Sequence, residues 1–261
     1  MSRLIEPSDR LNRLKDVWAA GKPTFGAIVT VPSIQVVQIL ARAGFDWLLI
    51  DMEHGAIDLP GAHAMITATA ATPAVPFARV GWTIPWLAKA VLDLGVLGVC
   101  YPMIRSRAEA EVAARSVRYP PHGDRLWGPF SAPLRWNLSM VDYMRAANTD
   151  VLAILTIEHP EAVRKIDEIV STPGVDLAFI GPGDLATSLG HYGEPDHPEV
   201  QAAMAAAEAG ILRSNVLLGG VARSVDQANR MVERGYRALV LGFDWSLLQR
   251  GAAAALDGLH R

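Results

Sequence analysis

Short apolar runs alternate with segments of helical periodicity along the whole chain. The runs are TFGAIVTV (24–31), FDWLLIDM (45–52), VPFARV (75–80), GVCYPM (98–103), LAILTIE (152–158), DLAFIGP (176–182), LLGGVA (217–222) and RALVLGF (237–243). Their length and β-branched, apolar character fit buried strands, whereas IPWLAKAVLDLG (84–95) spaces its apolar residues at the helical period. Eight such strand–helix units in 261 residues predict a (β/α)8 barrel of the TIM type. A doubly wound open sheet has the same local pattern and stands as the alternative. No low-complexity linker or shift in composition marks a boundary, so residues 1–261 are read as one α/β domain. Two stretches interrupt the alternation: RYPPHGDRLWGPFSAPLRW (118–136) and GHYGEPDHPE (190–199). Long loops of this kind cover an active site or form contacts between subunits.

Composition narrows the class of partner. The chain is 51% hydrophobic and 20% charged, with a formal net charge of −3 and no block of Lys or Arg. That balance lacks the electrostatic footprint of a nucleic-acid binder and favours a small-molecule partner. Cys100 is the single cysteine, which excludes an internal disulfide and a Cys-based zinc site and fits a reducing compartment. The N-terminal MSRLIEPSDRLNRLK has no apolar targeting segment, and no apolar run reaches the ~18 residues of a membrane span. A cytoplasmic protein with no membrane partner is expected.

In a (β/α)8 barrel the chemistry sits where the strands end. The second run ends in Asp51, Glu53 and His54, the third in Arg79, the fifth in Thr156 and Glu158, and the sixth in Gly181, Pro182, Gly183 and Asp184. Glu158 and Asp184 together suit a hard divalent cation such as Mg²⁺ or Mn²⁺, with open positions for water and substrate. Taken singly, each reads equally as a helix cap. The Gly-Pro-Gly before Asp184 is either a tight turn or a helix start whose backbone N–H groups receive a carboxylate or phosphate. His54 is a general base, a metal ligand or a structural histidine. Arg79 either polarises a developing oxyanion or pairs with Glu53 or Asp51. Asp93, in VLDLG, is a helix-end acid that orients His54 from a distance or is simply solvated. Trp127 and Trp136 are read as loop anchors, one of which is available to line a pocket.

Lysine contributes a negative argument. Lys15, Lys22, Lys89 and Lys165 are the only four, and all fall outside the predicted strands. None is placed to project into a pocket as a Schiff-base nucleophile, so carbanion chemistry here would need a metal as its electron sink.

GFDWLLIDMEHGAI, VPFARV, LDLGVLGVCYPM, RSVRYPPHGDR, TIEHPEAVRKIDEIVSTPGVDLAFIGPGDLATSLG and GGVARS carry a resemblance over nearly the whole chain. The sequence resembles class II, metal-dependent pyruvate aldolases of the 4-hydroxy-2-oxoheptanedioate aldolase, citrate-lyase-like family. The resemblance implies cleavage of a 4-hydroxy-2-oxo acid to pyruvate and an aldehyde through a metal-stabilised enolate. It implies Mg²⁺ or Mn²⁺, with Co²⁺ a further candidate, on Glu158 and Asp184, a base at His54 assisted by Asp93, and Arg79 on the pyruvate oxygen. Backbone around Gly181, Pro182, Gly183 and Asp184 would hold the pyruvate carboxylate. It further implies a homo-oligomer, a hexamer, with the C-terminal GAAAALDGLH (251–260) as a contact element. The chain departs from the family pattern at Thr156, where Gln is common, and at HGDRLWG, where Trp127 replaces smaller residues and bears on the aldehyde side. A decarboxylase or acyl-CoA lyase is the neighbouring alternative. A sugar-phosphate isomerase and a non-catalytic binding protein stand further off.

Overall fold

A computed structural model describes residues 10–259. All eight apolar runs are strands: β1 (Thr24–Val29), β2 (Trp47–Asp51), β3 (Val75–Arg79), β4 (Gly98–Tyr101), β5 (Leu152–Ile157), β6 (Leu177–Ile180), β7 (Leu217–Val221) and β8 (Ala238–Phe243). Each pairs in parallel with the next, and β8 pairs with β1, so the sheet closes into a barrel in sequence order. The open-sheet alternative is excluded. The helices are α1 (Leu14–Ala19), α2 (Ile34–Ala43), α3 (Leu59–Ala68), α4 (Pro85–Asp93), α5 (Arg107–Ser116), α6 (Ser131–Trp136), α7 (Met140–Asp150), α8 (Pro160–Arg164), α9 (Ile166–Val170), α10 (Pro182–Ser188), α11 (Pro198–Leu212), α12 (Val225–Glu233) and α13 (Asp244–Leu256).

The barrel interior follows from the two-residue period of a strand. Trp47 stacks on Phe77 at 5.6 Å between centroids and meets Phe179 edge-on at 5.8 Å. Glycines on other strands leave the room: a Cβ on Gly26 would lie 2.2 Å from the Trp47 ring, and one on Gly98 2.7 Å from Phe77. Two residues further along the same inward faces stand Leu49 and then Asp51 on β2, and Arg79 on β3. Asp51 and Arg79 are partners in the β2–β3 register. The apolar interior thus gives way, at the carboxyl ends of the strands, to charge.

The amino-terminal end of the barrel is sealed by α1. Leu14 and Trp18 are buried there, and the Trp18 Nε1 donates to Thr24 Oγ1 and to the Arg237 carbonyl. Arg13 Nε donates to the Pro73 carbonyl and Asn12 Nδ2 to the Asp150 carbonyl, both just before strands. The stretch 118–136 lies at this same end, because α5 carries the chain away from the carboxyl end of β4. Trp136 Nε1 donates to the Gly95 carbonyl, which makes it the anchor expected of it. Within one chain this stretch therefore does not cover the strand carboxyl ends. Leu126, Trp127, Phe130 and Leu134 on it are exposed. None of the four lysines lies on a strand: Lys15 and Lys89 are in helices, Lys22 precedes β1, and Lys165 pairs with Glu161 outside the barrel.

Candidate active site

The loop after β2 builds the first half of the site. Asp51 is fully buried, and its two oxygens take a fork of hydrogen bonds from Arg79: Nε to Oδ1 at 2.9 Å and Nη2 to Oδ2 at 2.7 Å. The same carboxylate accepts the backbone N–H groups of Glu53 (3.1 Å) and His54 (3.3 Å), so it shapes the turn that follows it. Gly55 completes that turn at close quarters, since a Cβ there would lie 2.3 Å from the Asp51 carbonyl oxygen. Burial alone would raise the Asp51 pKa, but the hydrogen bonds and charge of Arg79, with those two N–H groups, hold it below the ordinary carboxylate range. Burial would equally strip Arg79 of its proton; Asp51 and Glu53 keep its pKa raised instead. Glu53 Oε2 lies 3.1 Å from Arg79 Nε and 3.8 Å from His54 Nε2. His54 itself stands at the rim with its side chain 64% exposed.

The second half comes from β5 and β6. Glu158 is buried and accepts the Met103 N–H at 2.6 Å through Oε1. Gly181 leaves room for it: a Cβ there would meet Glu158 Oε2 at 3.1 Å and Thr156 Cγ2 at 3.6 Å. Thr156 Oγ1 donates to the Tyr101 carbonyl at 2.8 Å, so its hydroxyl proton is spent inside the wall. Asp184 sits exposed in the first turn of α10, and its carboxylate has no hydrogen-bond partner among the described residues. No side chain caps α10 at Gly181, which leaves its first-turn N–H groups open to a ligand. Burial pushes the Glu158 pKa up to about 7, opposed by the Met103 N–H and reinforced by the charges of Asp184 and Glu53. Glu53 is raised as well, by burial first and by Asp51 and Asp184 after it, against Arg79 and His54. An excess of carboxylate oxygens facing one guanidinium is a donor set suited to a hard divalent cation, which would neutralise the crowding. Glu158 and Asp184 would suit such an ion.

Arg79, His54, Glu158, Asp184, Thr156 and the Gly181–Gly183 segment all come together at this end of the barrel. Asp93 and Trp127 do not. Asp93 is the last residue of α4, close to the start of β4, and pairs with Arg125 Nη2 at 3.3 Å. Its pKa is raised by burial against the pull of Arg125. Trp127 is on the loop that holds Arg125, with 63% of its surface exposed. Both lie across the barrel from His54. Asp51, expected from the sequence only as a strand-end acid and a candidate partner of Arg79, is the residue that holds Arg79 in place, and strand parity points to this: Trp47, Leu49 and Asp51 share one face. The Met103 N–H, a backbone donor with φ +55° at its residue, carries no side-chain signal at all.

Comparison with known proteins agrees with the closed barrel. Residues 29–250 match the model of the HpcH/HpaI aldolase/citrate lyase family. A 4-hydroxy-2-oxo-heptane-1,7-dioate aldolase of Klebsiella pneumoniae subsp. pneumoniae is 38% identical over 244 residues, covering 93% of this chain and 92% of that one. Among solved structures, an HpcH/HpaI aldolase/citrate lyase family protein from Burkholderia cenocepacia J2315 superimposes with a TM-score of 0.85 at 36% identity, covering 94% of this chain and 96% of that one. The citrate synthase SbnG does so with a TM-score of 0.86 at 26% identity, covering 95% and 96%. With eight paired strands, a carboxylate-rich mouth and matches over nine-tenths of its length, this chain belongs to the HpcH/HpaI aldolase/citrate lyase family and is a lyase of the aldolase kind.

Proposed function

We propose that the chain reversibly cleaves a 4-hydroxy-2-oxo acid to pyruvate and an aldehyde, using a divalent ion held by Glu158 and Asp184. The observation that carries this reading is the imbalance at the mouth: Asp51, Glu53, Glu158 and Asp184 meet there with Arg79 as their one ion-pair partner among the described lysines and arginines. When bound, a Mg²⁺, Mn²⁺ or Co²⁺ ion would supply the Lewis acidity that stabilises the pyruvate enolate. Arg79 keeps Nε and Nη2 on Asp51, which fixes the plane of the guanidinium and leaves Nη1 as the donor edge for the substrate's 2-oxo oxygen. The uncapped first turn of α10, from Gly181 through Pro182 and Gly183 to Asp184, receives the substrate carboxylate. Thr156 walls this pocket. His54, exposed beside Glu53, takes the proton from the C4 hydroxyl as the carbon–carbon bond breaks and returns it in the reverse direction.

Asp93 and Trp127 reach a mouth only if a second chain supplies them, so their assigned roles belong to a homo-oligomer, a hexamer in this reading. Two features support assembly. Residues 248–259, which include the end of α13, are exposed throughout although Leu248, Ala252–Ala255, Leu256 and Leu259 are apolar. The amino-terminal end of the barrel adds the exposed Leu126, Trp127, Phe130 and Leu134. His260 of the same C-terminal segment lies outside the described residues, as does most of the polar N-terminal stretch. No described helix is long and apolar enough to cross a membrane. A buried free thiol at Cys100 fits the reducing cytoplasm we assign.

A second reading, a lyase acting on oxaloacetate or a thioester, is favoured by the likeness to the citrate synthase SbnG. Pyruvate release from a panel of hydroxy-oxo acids, measured on metal-stripped and reconstituted protein, separates the two. Metal-restored cleavage of a hydroxy-oxo acid is expected. Full activity after exhaustive chelation, or turnover of oxaloacetate alone, would overturn the proposal.

A further inference from the structure

The second interruption in the sequence, 190–199, is unused by the chemistry above, yet it gathers two imidazoles and a carboxylate. Gly190 (φ +86°) and Gly193 (φ +75°) turn the chain between α10 and α11 through backbone angles that side-chain-bearing residues rarely adopt. The turn folds His191 back onto the start of α11. There the His191 ring stacks on that of His197, 3.5 Å between centroids and 18° from parallel. His191 Nε2 lies 2.8 Å from Glu199 Oε2. Each of the three residues offers one ligand atom, and the three atoms all lie within 4.8 Å of one another.

Helix capping accounts for only part of this cluster. His197 is the N-cap of α11 and its Nδ1 accepts the Glu199 N–H, though at a long 3.3 Å, and Glu199 complements the helix dipole in the first turn. Neither role calls for a second imidazole stacked on the first. The His191 N–H donates to the Ala186 carbonyl at 2.8 Å, so this residue is held in place by its backbone, and its ring is engaged only by Glu199 and the face of His197.

We propose that His191, His197 and Glu199 form a second metal site, separate from the strand-end carboxylates, that takes a borderline transition ion of the Zn²⁺ class. Two nitrogen donors and one oxygen select such an ion over Mg²⁺, whereas Glu158 and Asp184 offer oxygen alone and make the opposite selection. Three protein ligands leave a position for water. On uptake the two rings turn out of their stack and the His191–Glu199 hydrogen bond gives way, because each ring nitrogen must present its in-plane lone pair to the ion. The site bears on the mouth through its neighbours. Pro195 and Asp196, inside the same turn, wall a cavity of about 760 Å³ that also touches Pro182 and Gly183. Asp196 in turn pairs with Arg223 after β7 at 2.7 Å. An ion clamping 191 to 197 and 199 fixes that wall.

The test uses the full chain with Glu158→Gln and Asp184→Asn together, so that this strand-end pair no longer competes for zinc. After chelation and dialysis, Zn²⁺ uptake is measured by calorimetry and by metal analysis, with circular dichroism confirming the fold. One Zn²⁺ per chain, undisturbed by millimolar Mg²⁺, is expected. Adding His191→Gln should weaken uptake by ~10-fold or more, the scale on which lost support of a metal ligand is felt. His191→Gln alone should keep Mg²⁺-dependent pyruvate release. No uptake by the carboxylate-neutralised chain, or equal uptake with and without His191, overturns the proposal and leaves the catalytic reading untouched.

Discussion

Acidic side chains collect at both ends of the barrel, and their surroundings differ. At the amino-terminal end, Asp46 accepts the Phe25 N–H and pairs with Arg13, while Asp176 accepts the Ala153 N–H and pairs with Arg118 at 2.7 Å and Lys15 at 3.3 Å. Each of these carboxylates has a backbone donor and a cation, and each ties a strand start to its neighbour. At the carboxyl-terminal end, Arg79 pairs with Asp51 and Glu53, Glu158 is pushed up to about 7, and Asp184 has no hydrogen-bond partner among the described residues. The first arrangement stabilises the fold; the second is a deficit of positive charge that a bound ion and an anionic substrate would fill. Acidity by itself does not mark a site. What marks this one is acidity left unmatched.

Exchanging roles between the two ends is the sharpest way to break that contrast. Glu158→Gln should reduce pyruvate release by ~10³-fold or more, because several kcal/mol of enolate stabilisation depend on the ion, while the melting temperature holds or rises. Asp176→Ala should do the reverse, costing about 2 kcal/mol of stability with turnover per folded chain unchanged. If Asp176→Ala lost turnover instead, the division of labour between the ends would be wrong.

Within the mouth, two smaller effects separate the residues. Arg79→Lys should lower turnover by ~10²-fold, since an ammonium cannot hold the Asp51 fork and present a further donor together. His54→Ala should lower aldol cleavage by ~10²-fold and spare oxaloacetate decarboxylation, which reaches the same enolate by losing CO₂ and needs no base at a C4 hydroxyl. Equal losses in both reactions would make His54 a holder of the site and not its base.

Protonation offers a test at the carboxyl-terminal end that needs no substrate. Glu158 has an ordinary pKa of 4.5 and a folded, metal-free pKa of about 7. Between those values the folded chain keeps a proton that the unfolded chain has released, so metal-free stability should fall as pH rises through that window, by on the order of 3 kcal/mol. A bound divalent ion should cancel the fall. Thermal melts with chelator and with Mn²⁺ at pH 5 and pH 8 measure this directly: the ion should stabilise strongly at pH 8 and little at pH 5. The same gap at both pH values would remove Glu158 from the metal's ligands.

The barrel was legible in the sequence because strands buried on both faces must be nearly all apolar, and all eight such runs became strands. The cluster of charged residues at the strand ends was legible for the same reason, since a charge that ends an apolar run stands out. Of the two readings of Arg79, the structure shows the ion pairs, with Asp51 and Glu53. What escaped the sequence was anything decided across the barrel. The seal formed by α1 depends on Leu14 and Trp18 within a polar stretch, and Arg125 is buried between aromatic rings in a loop that reads as surface. Asp93 was set beside His54 and Trp127 on the aldehyde side, and a single chain holds both at the opposite end.

That separation gives the last and smallest effect its meaning. Trp127 is largely exposed, so Trp127→Ala should change chain stability by no more than about 0.5 kcal/mol, as for surface positions generally. If the mouth of each chain is completed by a neighbour's amino-terminal end, the same substitution should still alter the acceptor KM by ~10-fold, the size of one changed apolar contact, and leave pyruvate exchange near wild type. The two expectations are compatible only in an assembly. Light scattering across a dilution series, read beside the acceptor KM, decides the matter, because the tryptophan's influence on the aldehyde should vanish when the oligomer dissociates. An altered acceptor KM in a protein that is monomeric throughout would mean that the loop reaches the mouth of its own chain, and the strict separation of a structural end from a chemical end would fail.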